Sequence, residues 1–152
     1  MTFLKYLIPL LICLLAPSSA QAASCDGPNS LVRVSNSSIG GFEYVTFKFK
    51  TPNAPQFFTT NVLPPFVEDP SDLPIHVNGG HWTKIQFRGV YVFCSIPQYF
   101  SLPRPTIKDI KKTEQFEGQI SFVIGRSATS HFIPIKVKKI FGYTLVRLKF
   151  KP

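Results

Sequence analysis

The sequence predicts a single all-β domain, a β-sandwich or partly open barrel with at most one short helix. Three observations lead there. Apolar residues recur at every second position through most of the chain, as in strands with one face in a core and one in water. Fourteen prolines, many lying between these stretches, argue against long helices. Turn-forming clusters separate the alternating segments: Thr51-Pro52-Asn53, Asp69-Pro70-Ser71, Asn78-Gly79-Gly80 and Phe141-Gly142.

Taken in order, Leu31 to Val34 is the first expected strand, with Val32 and Val34 inward. Gly41 to Lys50 then puts Val45, Phe47 and Phe49 on one face and Lys48 and Lys50 on the other. Gln56 to Val62 and Tyr91 to Ser95 are further strand candidates. Trp82 to Arg88 sets Ile85 and Phe87 against Lys84 and Arg88. After a proline-rich connector, Pro97 to Pro105, the segment Thr106 to Thr113 is the one helical candidate. Gln119 to Gly125 presents Ile120, Phe122 and Ile124 together. His131 to Lys139 alternates Ile133, Ile135 and Val137 against Lys136 and Lys138. Tyr143 to Phe150 aligns Val146, Leu148 and Phe150 opposite Arg147 and Lys149.

The last two segments form a hairpin whose register follows from its charges. Inner faces match when Lys136 lies opposite Arg147, Ile135 opposite Leu148 and Val137 opposite Val146. A one-residue slip would bury Lys136, Arg147 and Lys149, and an unpaired buried charge costs on the order of several kcal/mol. Lys138 and Lys149 then join Lys136 and Arg147 on the outer face. Like charges directly opposite are mildly unfavourable, by roughly a few tenths of a kcal/mol. Two explanations stand side by side: a counter-charge arrives from outside, or lysines protect a sheet edge from aggregation.

The N-terminus reads differently. Lys5 precedes an apolar run of 11 residues, Tyr6 to Ala16, followed by Pro17, two serines and Ala20-Gln21-Ala22. This is the three-part pattern of a cleaved secretory signal. The run is short of the roughly 20 residues that span a bilayer. Residues 1–22 are therefore expected to be removed, leaving 23–152 as one exported domain, secreted or periplasmic, with no transmembrane segment.

Of three cysteines, Cys13 leaves with the signal, so Cys25 and Cys94 are the remaining pair. In an exported chain they are expected to be bridged. The alternative is acylation of Cys25, because Ala22-Ala23-Ser24-Cys25 resembles a bacterial lipobox, though Ala22 stands where a leucine is usual.

Without Lys5 the 17 basic residues become 16 against 8 acidic ones, a net charge of +8. Gly118 to Pro152 carries seven basic residues and no acidic one. Such an exported domain favours anionic partners, and export argues against nucleic acid.

Chemistry is poorly represented. His76 and His81 are five apart in a glycine-rich loop, a spacing that fits no regular element, so no metal site is expected. No serine has the glycine-flanked sharp turn of a hydrolase nucleophile, and no glycine-rich phosphate loop occurs. Glu117 is the acid with a context, in the turn before an apolar strand, where accepting backbone hydrogen bonds is the simpler role. No cofactor and no catalytic residue are expected. Trp82, Tyr99 and Tyr143 are the aromatics best suited to exposure.

Phe116-Glu117-Gly118, the strand Ile120 to Gly125 and the segment His131 to Val137, opened by Phe132, together resemble the AMIN-like domain of exported bacterial envelope proteins. Gly40 to Lys50 resembles that family's opening strand, and Leu73 to Gly79 its central loop. The likeness runs from about Gly40 to Phe150 but departs at Cys94 and in the final strand. It implies a β-sandwich that localises proteins at the envelope, in some cases by engaging peptidoglycan, and it carries no activity. The combined expectation is a non-catalytic binding module. It holds an anionic cell-wall polymer or peptidoglycan through Lys136, Lys138, Arg147, Lys149, Lys48 and Arg88. The alternative is an envelope protein partner bound by strand addition at a sheet edge.

Overall fold

The structure is a computed structural model describing residues 27–91, 98–99 and 102–152. Its strands are β1 (Ser30–Ile39), β2 (Phe42–Lys50), β3 (Gln56–Val62), β4 (Phe66–Glu68), β5 (Leu73–Ile75) and β6 (His81–Arg88). They continue with β7 (Gln98–Tyr99), β8 (Ile107–Phe116), β9 (Gln119–Arg126), β10 (His131–Ile140) and β11 (Tyr143–Lys151). A five-stranded sheet runs β10-β11-β2-β1-β7, a four-stranded sheet runs β3-β6-β9-β8, and β4 and β5 form a small hairpin. No helix occurs among the described residues, and the sheets form a sandwich-like domain that does not close into a barrel.

The two large sheets share one core. Phe47 of the first lies with its ring centroid 5.0 Å from Phe87 and 5.0 Å from Phe122 of the second, and Phe49 lies 4.8 Å from Phe87. Val45, Val146, Leu148 and Phe150 join from one side, Ile85, Ile120 and Ile124 from the other. The expected inward residues of β2, β6, β9 and β11 are thus buried.

Departures from strict alternation trace to β-bulges, where one strand gains a residue and its face assignment flips. In β10 the register shifts between Ile133 and Lys136, so Lys136 does face Arg147 and Val137 does face Val146. Upstream of the shift, Phe132 is opposite Phe150 and packs against the core, while Ile133 lies opposite Lys149 on the outer side. The expected inward role of Ile133 therefore falls to Phe132. Proline suits such a point, because Pro134 has no N–H to give to the ladder. Val137, expected inward, is 44% exposed because it stands on the edge strand. In β1 a shift between Leu31 and Arg33 makes Leu31, not Val32, the buried partner of Val34.

The helical candidate at 106–113 is instead strand β8. Its register shifts twice, at Ile107/Asp109 and Lys112/Glu114, so Ile107, Ile110 and Thr113 are all buried at a spacing of three. That spacing imitates a helix.

Two buried polar side chains fasten the ends of strands. Glu43 is on the inner side of β2, 3% exposed, and its carboxylate accepts hydrogen bonds from the backbone N–H groups of Thr106 (3.0 Å) and Ile107 (2.8 Å). It thereby pins the start of β8 to the opposite sheet. Arg126 is also buried, donating to Ser130 O, Ser130 Oγ and Thr83 Oγ1, and burial lowers its pKa.

The outer side of the four-stranded sheet is partly covered. The ring of Phe66 lies 5.9 Å from that of Trp82, whose Nε1 donates to Val77 O at 2.9 Å. Asn78 N donates to the buried Asp109 carboxylate at 3.2 Å. The loop comes so close that a Cβ on Gly125 would stand 1.9 Å from Asn78 O. Only glycine permits that approach.

Candidate functional site

Alternation brings the basic residues of the five-stranded sheet to its outer side, and pairing sets them in rows. The first row is Arg33, Lys48, Leu145 and Lys138, each opposite the next across four strands. The second is Ser35, Thr46, Arg147 and Lys136. The third is Ser37, Tyr44, Lys149 and Ile133. Cross-strand partners project to one side of a sheet, so Lys48, Lys136, Lys138, Arg147 and Lys149 share a surface. Glu43 is the only acidic residue in β1, β2, β10 and β11, and it is turned inward.

Three of these cations lie over aromatic rings. Lys48 Nζ is 3.8 Å from the Tyr143 ring centroid, Lys149 Nζ is 3.5 Å from that of Phe42, and Arg147 Cζ is 5.4 Å from that of Tyr44. Each contact is worth about 0.5–1 kcal/mol at an exposed site, enough to orient a side chain without neutralising it. The charges stay available to an external anion. A groove of about 390 Å³ crosses this surface, lined by Arg33, Ser35, Thr46, Lys48, Tyr143 and Leu145, with Ile140 and Phe141 at its hairpin end. The arrangement can hold negative charge at several points on a lattice set by the strands. It offers no carboxylate to move a proton.

Arg88, expected with this group, is on the other sheet. It lies in β6, its guanidinium 5.1 Å from the Phe58 ring. Parity placed it outward correctly, but parity cannot say on which sheet. The outer surface of that sheet also handles charge differently. Glu114 accepts hydrogen bonds from Lys84 (3.5 Å), Gln86 (3.3 Å), Ser121 (2.6 Å) and Gln119, and Lys111 lies 3.9 Å from Asp109. Burial pushes the Glu114 pKa up, but the bonds from Ser121 and Gln119 and the Lys84 charge outweigh it, leaving the net shift downward.

The other singled-out residues fall as follows. Cys25 and Cys94, and the segment 1–22, lie outside the described residues, as do 92–95 of the expected strand from Tyr91. His76 and His81 are exposed, and His76 Nε2 lies 3.0 Å from Asn78 Oδ1. Among the described residues no three His, Cys, Asp or Glu side chains group as metal ligands. Trp82 and Tyr143 are half-buried, under Phe66 and Lys48 respectively. Glu117 is exposed and forms the β8–β9 turn with Gly118, at φ 46° and 76°.

Sequence reasoning passed over Phe42, Tyr44 and Phe141. The first two share the parity of Lys48, which was the available signal. No family model, no curated protein and no solved structure matches this chain.

Proposed function

We propose that the chain is a non-catalytic, exported binding module of the bacterial cell envelope. It holds an anionic wall polymer or peptidoglycan on the outer side of its five-stranded sheet. The observation that carries this reading is the clustering of Lys48, Lys136, Lys138, Arg147 and Lys149 on one surface whose strands contain no outward acid. The signal-like N-terminus and the AMIN-like resemblance supply the envelope setting. Under the same reading Cys25 and Cys94 are bridged, which mass spectrometry of the non-reduced protein checks; lipid on Cys25 or two alkylatable thiols contradicts it.

The test is retention on purified sacculi and wall fractions across a salt series. Interactions between exposed charges are screened beyond a Debye length of about 10 Å at 0.1 M salt. Retention should therefore fall steeply as salt rises. Salt-insensitive retention favours the second reading, strand addition to a protein partner. One observation speaks for it: edge strand β3, Gln56 to Val62, carries no charge and no proline. Edge β10, by contrast, is guarded by lysines and a bulge. A lysine at Phe58 or Thr60 should abolish binding of that kind.

A further inference from the structure

Among the described residues, three hairpins turn through two residues that both have positive φ: Gly40-Gly41, Glu117-Gly118 and Phe141-Gly142. This is the turn that suits the twist of paired strands, and its first position favours Asn, Asp or Gly. Phe141 occupies that position at φ 43°. A bulky side chain there gains nothing for the turn, since left-handed backbone is a steric cost to it. Nor does the ring pack, being 98% exposed. Ile140 precedes it, half-buried, and both residues border the groove that holds Lys48. Lys138, exposed, precedes this tip on the side of the sheet that carries Lys48, whereas Lys139 has the opposite parity and donates to Asn53 Oδ1 at 3.4 Å.

We infer that the β10–β11 tip docks on an anionic lipid bilayer, with Phe141 entering the interface and Lys138 and Lys48 meeting lipid phosphates. A single protruding ring has too little area to hold a protein partner, but an interfacial lipid layer accepts it without a matching pocket. Cations beside an apolar tip add attraction to anionic headgroups, and the two contributions act together. Charge separates this tip from the β4–β5 hairpin, which is also exposed and apolar. There Leu73, 60% exposed, follows Asp72 and pairs with Glu68, and those acids would be repelled by the same surface. The inference goes beyond polymer binding and does not depend on it, because it rests on Phe141 rather than on the middle of the sheet.

The experiment is flotation of the purified protein with vesicles of phosphatidylglycerol and phosphatidylcholine, against vesicles of phosphatidylcholine alone. Wild type should float with the first and remain behind with the second. Phe141→Asn should weaken binding by roughly 10- to 100-fold, the factor that burial of one phenylalanine carries. The same substitution should leave the melting temperature unchanged or raised, because asparagine suits the turn. This opposite movement of stability and binding excludes misfolding as the cause. In Phe141→Trp the added fluorescence should shift to the blue on the anionic vesicles only. Equal flotation of wild type and Phe141→Asn overturns the proposal. So does flotation that ignores vesicle charge, or a loss of wall-polymer retention in Phe141→Asn without any vesicle binding by wild type.

Discussion

The two outer surfaces of this sandwich handle charge in opposite ways. On the four-stranded sheet, Glu114 collects Lys84, Gln86, Gln119 and Ser121, Asp109 holds the Asn78 loop, and Phe66 lies against Trp82. Its polar groups find partners inside the molecule. On the five-stranded sheet, Lys48, Arg147 and Lys149 lie over aromatic rings, and the only acid of β1, β2, β10 and β11, Glu43, is spent in the core. Acids decide which surface is self-sufficient. The surface that keeps none outward can gain its counter-charge only from another part of the chain or another molecule.

Substitutions probe this contrast, and the largest losses belong to the self-sufficient side. Gly125→Ala should drive the Asn78 loop off β9, since a Cβ has no room beside Asn78 O. A loss of about 3 kcal/mol or more is expected in urea unfolding. Trp82 emission should shift to the red as its cover lifts. A neutral result would mean that the cover is not held where the contrast requires it.

Glu43→Ala comes next. It strands two buried N–H groups, Thr106 and Ile107, at roughly 1–2 kcal/mol each, so a loss of about 2–4 kcal/mol is expected. Glu43→Gln should cost less, keeping one acceptor. If Glu43→Ala is instead nearly neutral, that acid was never committed to the core.

Glu114→Gln should lose about 1–2 kcal/mol, because an ionised acceptor is replaced by a neutral amide. Its pH dependence has a definite sign. The folded-state pKa is lowered from 4.5, so the carboxylate's stabilisation is present above that value and is lost as pH falls through the lower one. Urea midpoints of wild type should therefore fall on acidification by more than those of Glu114→Gln. Parallel curves would remove Glu114 from the account.

The smallest effect should come from the cationic side. Lys149→Met loses only its contact with Phe42, and the stability change should stay within about 1 kcal/mol. A loss above about 2 kcal/mol would make this surface a structural one and erase the contrast.

How much of this was legible in the sequence depends on what each feature requires. Strands with uninterrupted alternation, such as Phe42 to Lys50, could be read directly, and so could the Lys136–Arg147 pairing, since a slip buries charge. The bulges could not. A bulge is an event in backbone hydrogen bonding, and only Pro134 hinted at one, so Ile133 and Phe132 were exchanged and β8 resembled a helix. Glu43 was legible in principle, because it shares the parity of Val45 and Phe47. Its partners at Thr106 and Ile107, more than sixty residues away, were not. Arg88 marks the same boundary. Periodicity assigns a residue to a side of its strand, whereas the site depends on which strands become neighbours, and that is decided by the packing of the whole core.

The proposed binding rests on one surface rather than on net charge. Two variants with equal change in charge separate these possibilities. The first carries Lys136→Glu, Lys138→Glu, Arg147→Glu and Lys149→Glu; the second carries Arg88→Glu, Lys108→Glu, Lys111→Glu and Lys112→Glu, all outside the five-stranded sheet. Both are measured for retention on purified anionic wall polymer at low salt, with folding checked by circular dichroism. The first should lose most of its retention and the second should keep most of it. Equal losses would mean that overall charge suffices, and unchanged retention in the first would contradict the proposed role of this surface outright.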